Sequence, residues 1–139
     1  MDLPVLGGVA IGYNALDASG GVAVGYNAID AGGVAVGPSA FTESGISVGG
    51  NSRSVDGISI GNNAVISTVN VPNNTGAGGI VVGNNNTVTR GSIIIGNNNP
   101  SLPLNSFIFG NGITGSAANT LYLDSNIQTI NAPGLTVNG

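Results

Sequence analysis

Four evenly spaced acidic residues are the part of this 139-residue chain best suited to do chemistry. They are Asp17, Asp30, Glu43 and Asp56. A column of carboxylates could supply a general acid–base pair or the oxygen ligands that Ca²⁺ prefers. From Gly25 to Gly61, however, the repeat advances by 12 residues, one fewer than the spacing of the acids, so only Asp17 and Asp30 are expected to stack. We therefore favour solvated acids on an exposed edge over a catalytic or metal-binding ladder.

The composition excludes several other kinds of site. The chain has no Cys and no His, which removes disulfides and thiolate or imidazole metal ligands. Only Arg53 and Arg90 are basic, and a nucleic-acid partner is not expected because many cations are needed to neutralise a phosphate backbone. No apolar run is long enough for a spanning helix, so we expect no membrane insertion. We predict no cofactor, no metal and no enzymatic activity.

Two further patterns concern binding. Tyr13 and Tyr26 occupy equivalent positions and could form an exposed sugar-binding pair, although an aromatic ladder that stabilises neighbouring coils is the favoured interpretation. Ice binding would require a regular column of threonines, and the threonines of this chain do not recur in register.

A five-residue phrase of the type Gly-Val-Ala-Ile-Gly organises the chain. It occurs six times between Gly8 and Gly83, and twice more with serine in the first place, at Ser92–Gly96 and Ser106–Gly110. The closing glycines are Gly12, Gly25, Gly37, Gly49, Gly61, Gly83, Gly96 and Gly110. Their step has room for two short strands and two tight turns but not for a helix. The sequence therefore predicts an all-β fold, a β-solenoid built as a parallel β-roll with coils of about 12–14 residues.

The repeat also sets the predicted domains and one candidate site. We assign residues 1–118 to the β-roll repeat domain and residues 119–139 to a C-terminal β segment, which either ends the roll or leads into a following fibre segment. The long step from Gly61 to Gly83 contains an insertion, and insertions in solenoids form loops that often bind partners. The candidate binding loop consists of Val69, Asn70, Val71, Pro72, Asn73, Asn74 and Thr75.

Alternation within each strand separates two faces. We place the large residues of the phrase, such as Val9 and Ile11, inside the coil. In the second strand we place the larger column inside as well, because the opposite choice would bury Asp30. The small residues then form a flat, uncharged outer strip that another copy of the chain could approach closely. This predicted chain–chain interface consists of Ala10, Ala23, Ala35, Ser47 and Ser59.

The wording of the phrase at Gly8–Gly12 and the step between its copies resemble the head repeats of YadA-like trimeric autotransporter adhesins. The likeness covers roughly Gly7 to Gly110 and is strongest in the first five coils. It implies a left-handed parallel β-roll, three chains packed side by side as a homotrimer, and attachment to surfaces or matrix. The stretch from Asn119 to Gly139 is more weakly similar to segments of phage and virus fibre proteins.

Together these patterns favour a non-enzymatic structural and adhesive fibre module, extracellular on a cell surface or a virion surface. A phage or virus fibre segment for host attachment and a self-assembling extracellular filament subunit are the alternatives. The expected partners are further copies of the chain, as a homo-oligomer, and a host-surface receptor, matrix protein or glycan.

Overall fold

The structure, a computed structural model, describes residues 7–66, 78–88, 91–100 and 105–127. Within these ranges the regular elements are β-strands, with no helix among them. In chain order the strands are β1 (Val9–Ile11), β2 (Leu16–Asp17), β3 (Val22–Val24), β4 (Ile29–Asp30), β5 (Val34–Val36), β6 (Phe41–Val48), β7 (Arg53–Ile60), β8 (Val65–Ile66), β9 (Gly79–Val82), β10 (Thr87–Val88), β11 (Ile93–Ile95), β12 (Phe107–Phe109) and β13 (Leu121–Leu123).

The strands stack in parallel, one coil upon the next. The first strands of the coils form a continuous sheet in the order β1-β3-β5-β6-β7-β9-β11-β12-β13. The register follows the repeat, so that Ala23 pairs with Ala10 on one side and with Ala35 on the other. The second strands pair in the same way, and the long strands β6 and β7 run through a corner from one set to the other. The predicted all-β solenoid of parallel coils, about eight turns long, is confirmed.

Two corners connect the strands of each coil. The leading corner, which is Gly12–Asn14 in the first coil, takes the chain from the first strand to the second. Its third residue adopts a left-handed conformation in coil after coil, with φ of 53° at Asn14 and 52° at Asn27, and asparagine tolerates this region better than most residues do. The return corner, which is Ala18–Gly21 in the first coil, leads to the next first strand.

The assignment of the strand faces was wrong in both strands. The small residues of the first strands point into the coil, and Ala23 and Ser47 are fully buried. The large residues on either side of each small residue point outward, and Ile60, for example, is 41% exposed. In the second strands Ala28 is fully buried while Ile29 faces solvent. The inner column of the first strands in the early coils consists of Ala and Ser, whose small side chains let the two strands of a coil pack closely together.

The interior grows wider toward the C-terminal coils. In the later coils the inner position of the first strand is occupied by Val81, Ile94 and Ile108 in place of alanine or serine. These side chains form one apolar cluster with Ile66 and Val88. The apolar core therefore lies in the second half of the described chain, whereas the first coils are filled mainly by small residues.

Two regions singled out in the sequence lie at or beyond the limits of the described residues. The candidate binding loop, Val69–Thr75, lies outside the described residues. Strand β13, within the predicted C-terminal segment, pairs in register with β12 and continues the stack. The boundary between residues 118 and 119 stays a prediction.

Candidate functional site

The most extensive surface feature is apolar and lies on the outside of the first-strand sheet. We call this surface, the outward side chains of the nine first strands, the front face. Its residues stand in two parallel columns, and Ile11, at one end, is 59% exposed. The large apolar residues that remain exposed here are Val9, Ile11, Ile46, Ile60, Ile80, Val82, Ile95, Phe109 and Leu121. A single chain leaves this face in contact with water.

The predicted chain–chain interface does not lie on this surface. Ala23, Ala35, Ser47 and Ser59 are fully buried within one chain, so they are not available for contact with a second copy. Ala10 belongs to the same inner column and is exposed in the first described coil. The physical reason is the narrow coil: the flat strip of small residues is the surface on which the two strand sets meet.

Asp17 and Asp30 stack in register, as predicted, but they hold turns together instead of forming a solvated edge. Asp17 accepts a 2.9 Å hydrogen bond from the N–H of Gly21, and Asp30 accepts one of 2.7 Å from Gly33. The N–H of Gly21 is the main cause of a lowered pKa at Asp17, with desolvation opposing it. Asp30 is fully buried, contrary to the expectation that its burial would cost too much. Amide donors of the return corner offset part of that cost.

The other two acids lie apart from this pair. Asp56 pairs with Ser44, so the predicted drift out of register is confirmed. Glu43 is half exposed and 4.0 Å from the guanidinium of Arg53, which lies 5.0 Å from the ring centre of Phe41. An exposed ion pair of this kind contributes little stability. In the described part of the chain, no three acidic side chains come together as a metal site.

Tyr13 and Tyr26 form the predicted ladder at the leading corner. Their ring centres are 5.5 Å apart and the planes are inclined by 10°. Because the two rings lie face to face, their facing surfaces are not open to a sugar, which would need an aromatic face on which to stack. The pair remains exposed at its edges, Tyr13 by 70% and Tyr26 by 57%.

Asparagines continue the leading corner in the later coils and form hydrogen-bonded ladders. The backbone N–H of Asn84 donates to Oδ1 of Asn97, and that of Asn97 donates to Oδ1 of Asn111, each over 2.9 Å. Beside this column, Nδ2 of Asn85 donates to Oδ1 of Asn98 over 3.0 Å. A third column is buried, where Asn99 Nδ2 donates to Gly110 O and Asn86 Oδ1 over 3.0 Å. The recurrence of asparagine at each later coil is the sequence signal that could have predicted these ladders.

Hydrogen bonds close the last described coil. The hydroxyl of Tyr122 accepts from the N–H groups of Ser116 and Ala117 and donates to the carbonyl of Ala117 over 2.9 Å. The Ala117 contact is the main cause of a lowered pKa at Tyr122. Asp124 accepts from the N–H of Asn126, which lowers the pKa of that carboxyl. These groups shape an end of the described stack.

A shallow recess of about 330 Å³ lies at the return corner of the last coils. Its apolar side is formed by Phe107 and Leu121 of the front face, and its polar side includes Asn105 and Asn119. The recess is therefore continuous with the front face and carries uncharged amides at its rim.

Comparison with known proteins adds no relatives: no protein-family model matches the chain, and no curated protein matches it. Within the residues described, there is no helix of the length and apolarity needed to cross a membrane.

Proposed function

We propose that this chain is a non-enzymatic structural and adhesive fibre module that works as an assembly of its own copies, a homotrimer of left-handed parallel β-rolls on a cell or virion surface. The exposed front face carries the proposal. The first strands present large apolar side chains to water on one side of the stack, and the largest apolar patch on a protein surface often marks a contact site.

The dimensions of the front face support its role as a contact between chains. Three residues per strand at about 3.3 Å and nine strands about 4.8 Å apart give a footprint on the order of 400 Å². This equals the largest apolar patch that an ordinary monomer exposes, which is often itself a binding site. The self-association that we expected at the alanine–serine strip is thus transferred to the opposite side of the same strands.

The adhesive part of the proposal relies on the outer surfaces that such an assembly leaves free. With the front faces turned toward one another, the outward side chains of the second strands, which we call the back face, point away from the contact. The back face carries Phe41 and Arg53, one of the two cations in the chain. It is the surface that would meet a receptor, matrix protein or glycan.

Analytical ultracentrifugation tests the assembly. We expect a mass three times the 13.5 kDa of the chain, and we expect Val36→Arg on the front face to release monomers, because it places a charge within an apolar contact. Thr87→Arg on the back face is the matched control and should leave the mass unchanged. A monomer at micromolar concentration in the unaltered protein refutes the proposal.

Binding of protein-coated beads to a film of extracellular matrix tests the adhesive role. We expect the unaltered assembly to retain the beads and the monomeric Val36→Arg variant to release them, since several weak contacts act together in an oligomer. Electron microscopy separates the alternatives, because a self-assembling filament subunit would form long fibres and a trimeric module would form short rods.

A further inference from the structure

The last leading corner of the described stack differs from the earlier ones at its third residue. That residue is left-handed in each of these corners, and its φ is 59° at Asn98 and 67° at Gly112. In the earlier corners it is asparagine or serine, namely Asn14, Asn27, Ser39, Asn51, Asn63, Asn85 and Asn98. The last corner has glycine instead, directly after Asn111, and so contains an Asn-Gly pair.

An Asn-Gly pair can modify itself without an enzyme. The glycine N–H gives its proton to hydroxide, its nitrogen bonds to Cγ of the asparagine, and the bond from Cγ to Nδ2 breaks. The nitrogen released takes a proton from water and leaves as ammonia, and water then opens the succinimide ring to aspartate or isoaspartate. A side chain after the asparagine hinders ring closure, but Gly112 has none, and nothing lies within 4 Å of the position that its Cβ would occupy. Both residues of the pair are exposed to water.

In the closed stack Asn97 of the preceding coil holds both reacting groups of this pair. The N–H of Gly112 donates to the backbone carbonyl of Asn97 over 2.9 Å. Oδ1 of Asn111 accepts from the backbone N–H of Asn97 over 2.9 Å and from its Nδ2 over 3.0 Å. The glycine nitrogen attacks only after it has lost its proton, so the first of these bonds must break before the ring can close. This asparagine ladder therefore opposes the reaction.

The products do not fit the closed corner. Isoaspartate carries the main chain through the former side chain, which adds one carbon atom to the backbone between the N–H of residue 111 and that of Gly112. In the structure these two groups donate to different coils, Asn111 to Oδ2 of Asp124 over 3.2 Å and Gly112 to Asn97. A longer backbone displaces one of the two donors. In either product the new carboxylate lies close to that of Asp124, which repels it.

We propose that Asn111–Gly112 is a self-modification site that the asparagine ladder protects, and that Asn111 is converted to aspartate or isoaspartate when the last leading corner opens. Hydroxide and water are the co-reactants. A solenoid opens locally, because each coil contacts only its neighbours, and a group that reacts only in the open form reacts in proportion to the population of that form. The modified fraction thus records how often this corner has opened.

Peptide mapping measures the reaction in the folded protein and in guanidinium chloride at the same mildly alkaline pH. Chymotrypsin cleaves after Phe109 and Tyr122, and tandem mass spectrometry of the fragment between them locates the replacement of NH₂ by OH. We expect Asn111 to react at least about tenfold more slowly in the folded protein, a factor that corresponds to about 1.4 kcal/mol of opening free energy. Equal rates would overturn the proposal. A faster reaction in the folded protein would overturn it as well, because the two donors of Asn97 would then act as an oxyanion hole.

Asn119 is the internal control, because the same fragment contains it. It precedes Thr120, whose branched side chain hinders ring closure, so it should remain unmodified in both states. Gly112→Asn is the matched variant, since asparagine already occupies the third position of six leading corners and tolerates the left-handed conformation. This variant should fold normally and lose most of the modification of Asn111 in guanidinium chloride. Modification of Asn119 as fast as that of Asn111, or an unchanged rate in Gly112→Asn, contradicts a site defined by the Asn-Gly pair.

Two core variants show whether the last corner or the whole chain must open. Ile108→Ala leaves a cavity in the coil that contains this corner, whereas Val55→Ala leaves one in a distant coil, and both side chains are buried. We expect Ile108→Ala to raise the rate at Asn111 in the folded protein by about tenfold or more. Val55→Ala should leave it unchanged, because a solenoid feels such a defect locally. An equal increase in both variants would mean that the reaction follows unfolding of the whole chain, and this result, or no increase with Ile108→Ala, refutes protection by the ladder.

Discussion

Two adjacent isoleucines offer a sharp test of which strand face is inside. Ile94 is fully buried in the apolar cluster, whereas its neighbour Ile95 is 39% exposed on the front face. Truncating an isoleucine to alanine removes three carbon atoms, at about 0.8 kcal/mol each for transfer, and a buried site adds the cost of the cavity. We expect Ile94→Ala to lower the free energy of unfolding by about 3–4 kcal/mol.

The matched variant Ile95→Ala should behave differently. In the isolated chain it loses only part of the contacts of a half-exposed side chain, which corresponds to about 1 kcal/mol or less. Its effect should grow with protein concentration, because it acts on the assembly and assembly stabilises the folded chain by mass action. The effect of Ile94→Ala should instead change little with concentration.

Thermal unfolding at several protein concentrations is the assay. For a chain of this length, a loss of about 3–4 kcal/mol corresponds to a decrease in Tm of roughly 10 °C. If Ile95→Ala proved the more damaging change at low concentration, the front face would be the interior and the reasoning about strand faces would be refuted.

Three further changes probe the turns and the last coil. Gly21→Ala should destabilise the protein by about 1–3 kcal/mol, because its Cβ would overlap the buried carboxylate of Asp30. Gly7→Ala, whose Cβ would meet nothing within 4 Å, is the control in the same melting experiment. Tyr122→Phe should cost about 0.5–1.5 kcal/mol in urea titration, because the hydroxyl loses its hydrogen bonds to exposed backbone groups that water can then replace; an unchanged midpoint would argue against a role for the hydroxyl. The lowered pKa of Asp17 stabilises the fold at pH values above its ordinary 3.8 and ceases to do so as the pH falls through the lower folded value. Asp17→Asn should therefore reduce the loss of Tm between pH 5 and pH 2, and an equal loss in both proteins would contradict this.

The period of the sequence was sufficient to predict the solenoid, but alternation alone did not orient the strands. A period of two separates the residues of a strand into two sets without stating which set is inside. Which set is inside depends on how closely the two strands of a coil approach each other, and the period does not state this distance. Along the roll the buried column of the first strands changes from Ala35 and Ser47 to Ile94 and Ile108.

The turn chemistry was harder to predict for a different reason. Burial of Asp30 is costly when the residue is considered alone, but the N–H groups of its own return corner are directed at the carboxylate. Whether such donors converge on an acid depends on backbone conformation, which residue types alone do not specify. The front face was missed as a consequence of the same choice, since its side chains had been assigned to the interior.

The widening of the interior along the roll has a mechanical consequence. Each coil contacts only its neighbours, so a tensile load that peels the stack is resisted coil by coil. Coils filled by alanine and serine bury less apolar area than those filled by Ile94 and Ile108, and each therefore yields at a lower force. Under tension the rod should open from the coils near Val9 and remain closed around Ile108. The coils filled by alanine and serine would then extend and dissipate energy, while the coils filled by isoleucine keep their shape.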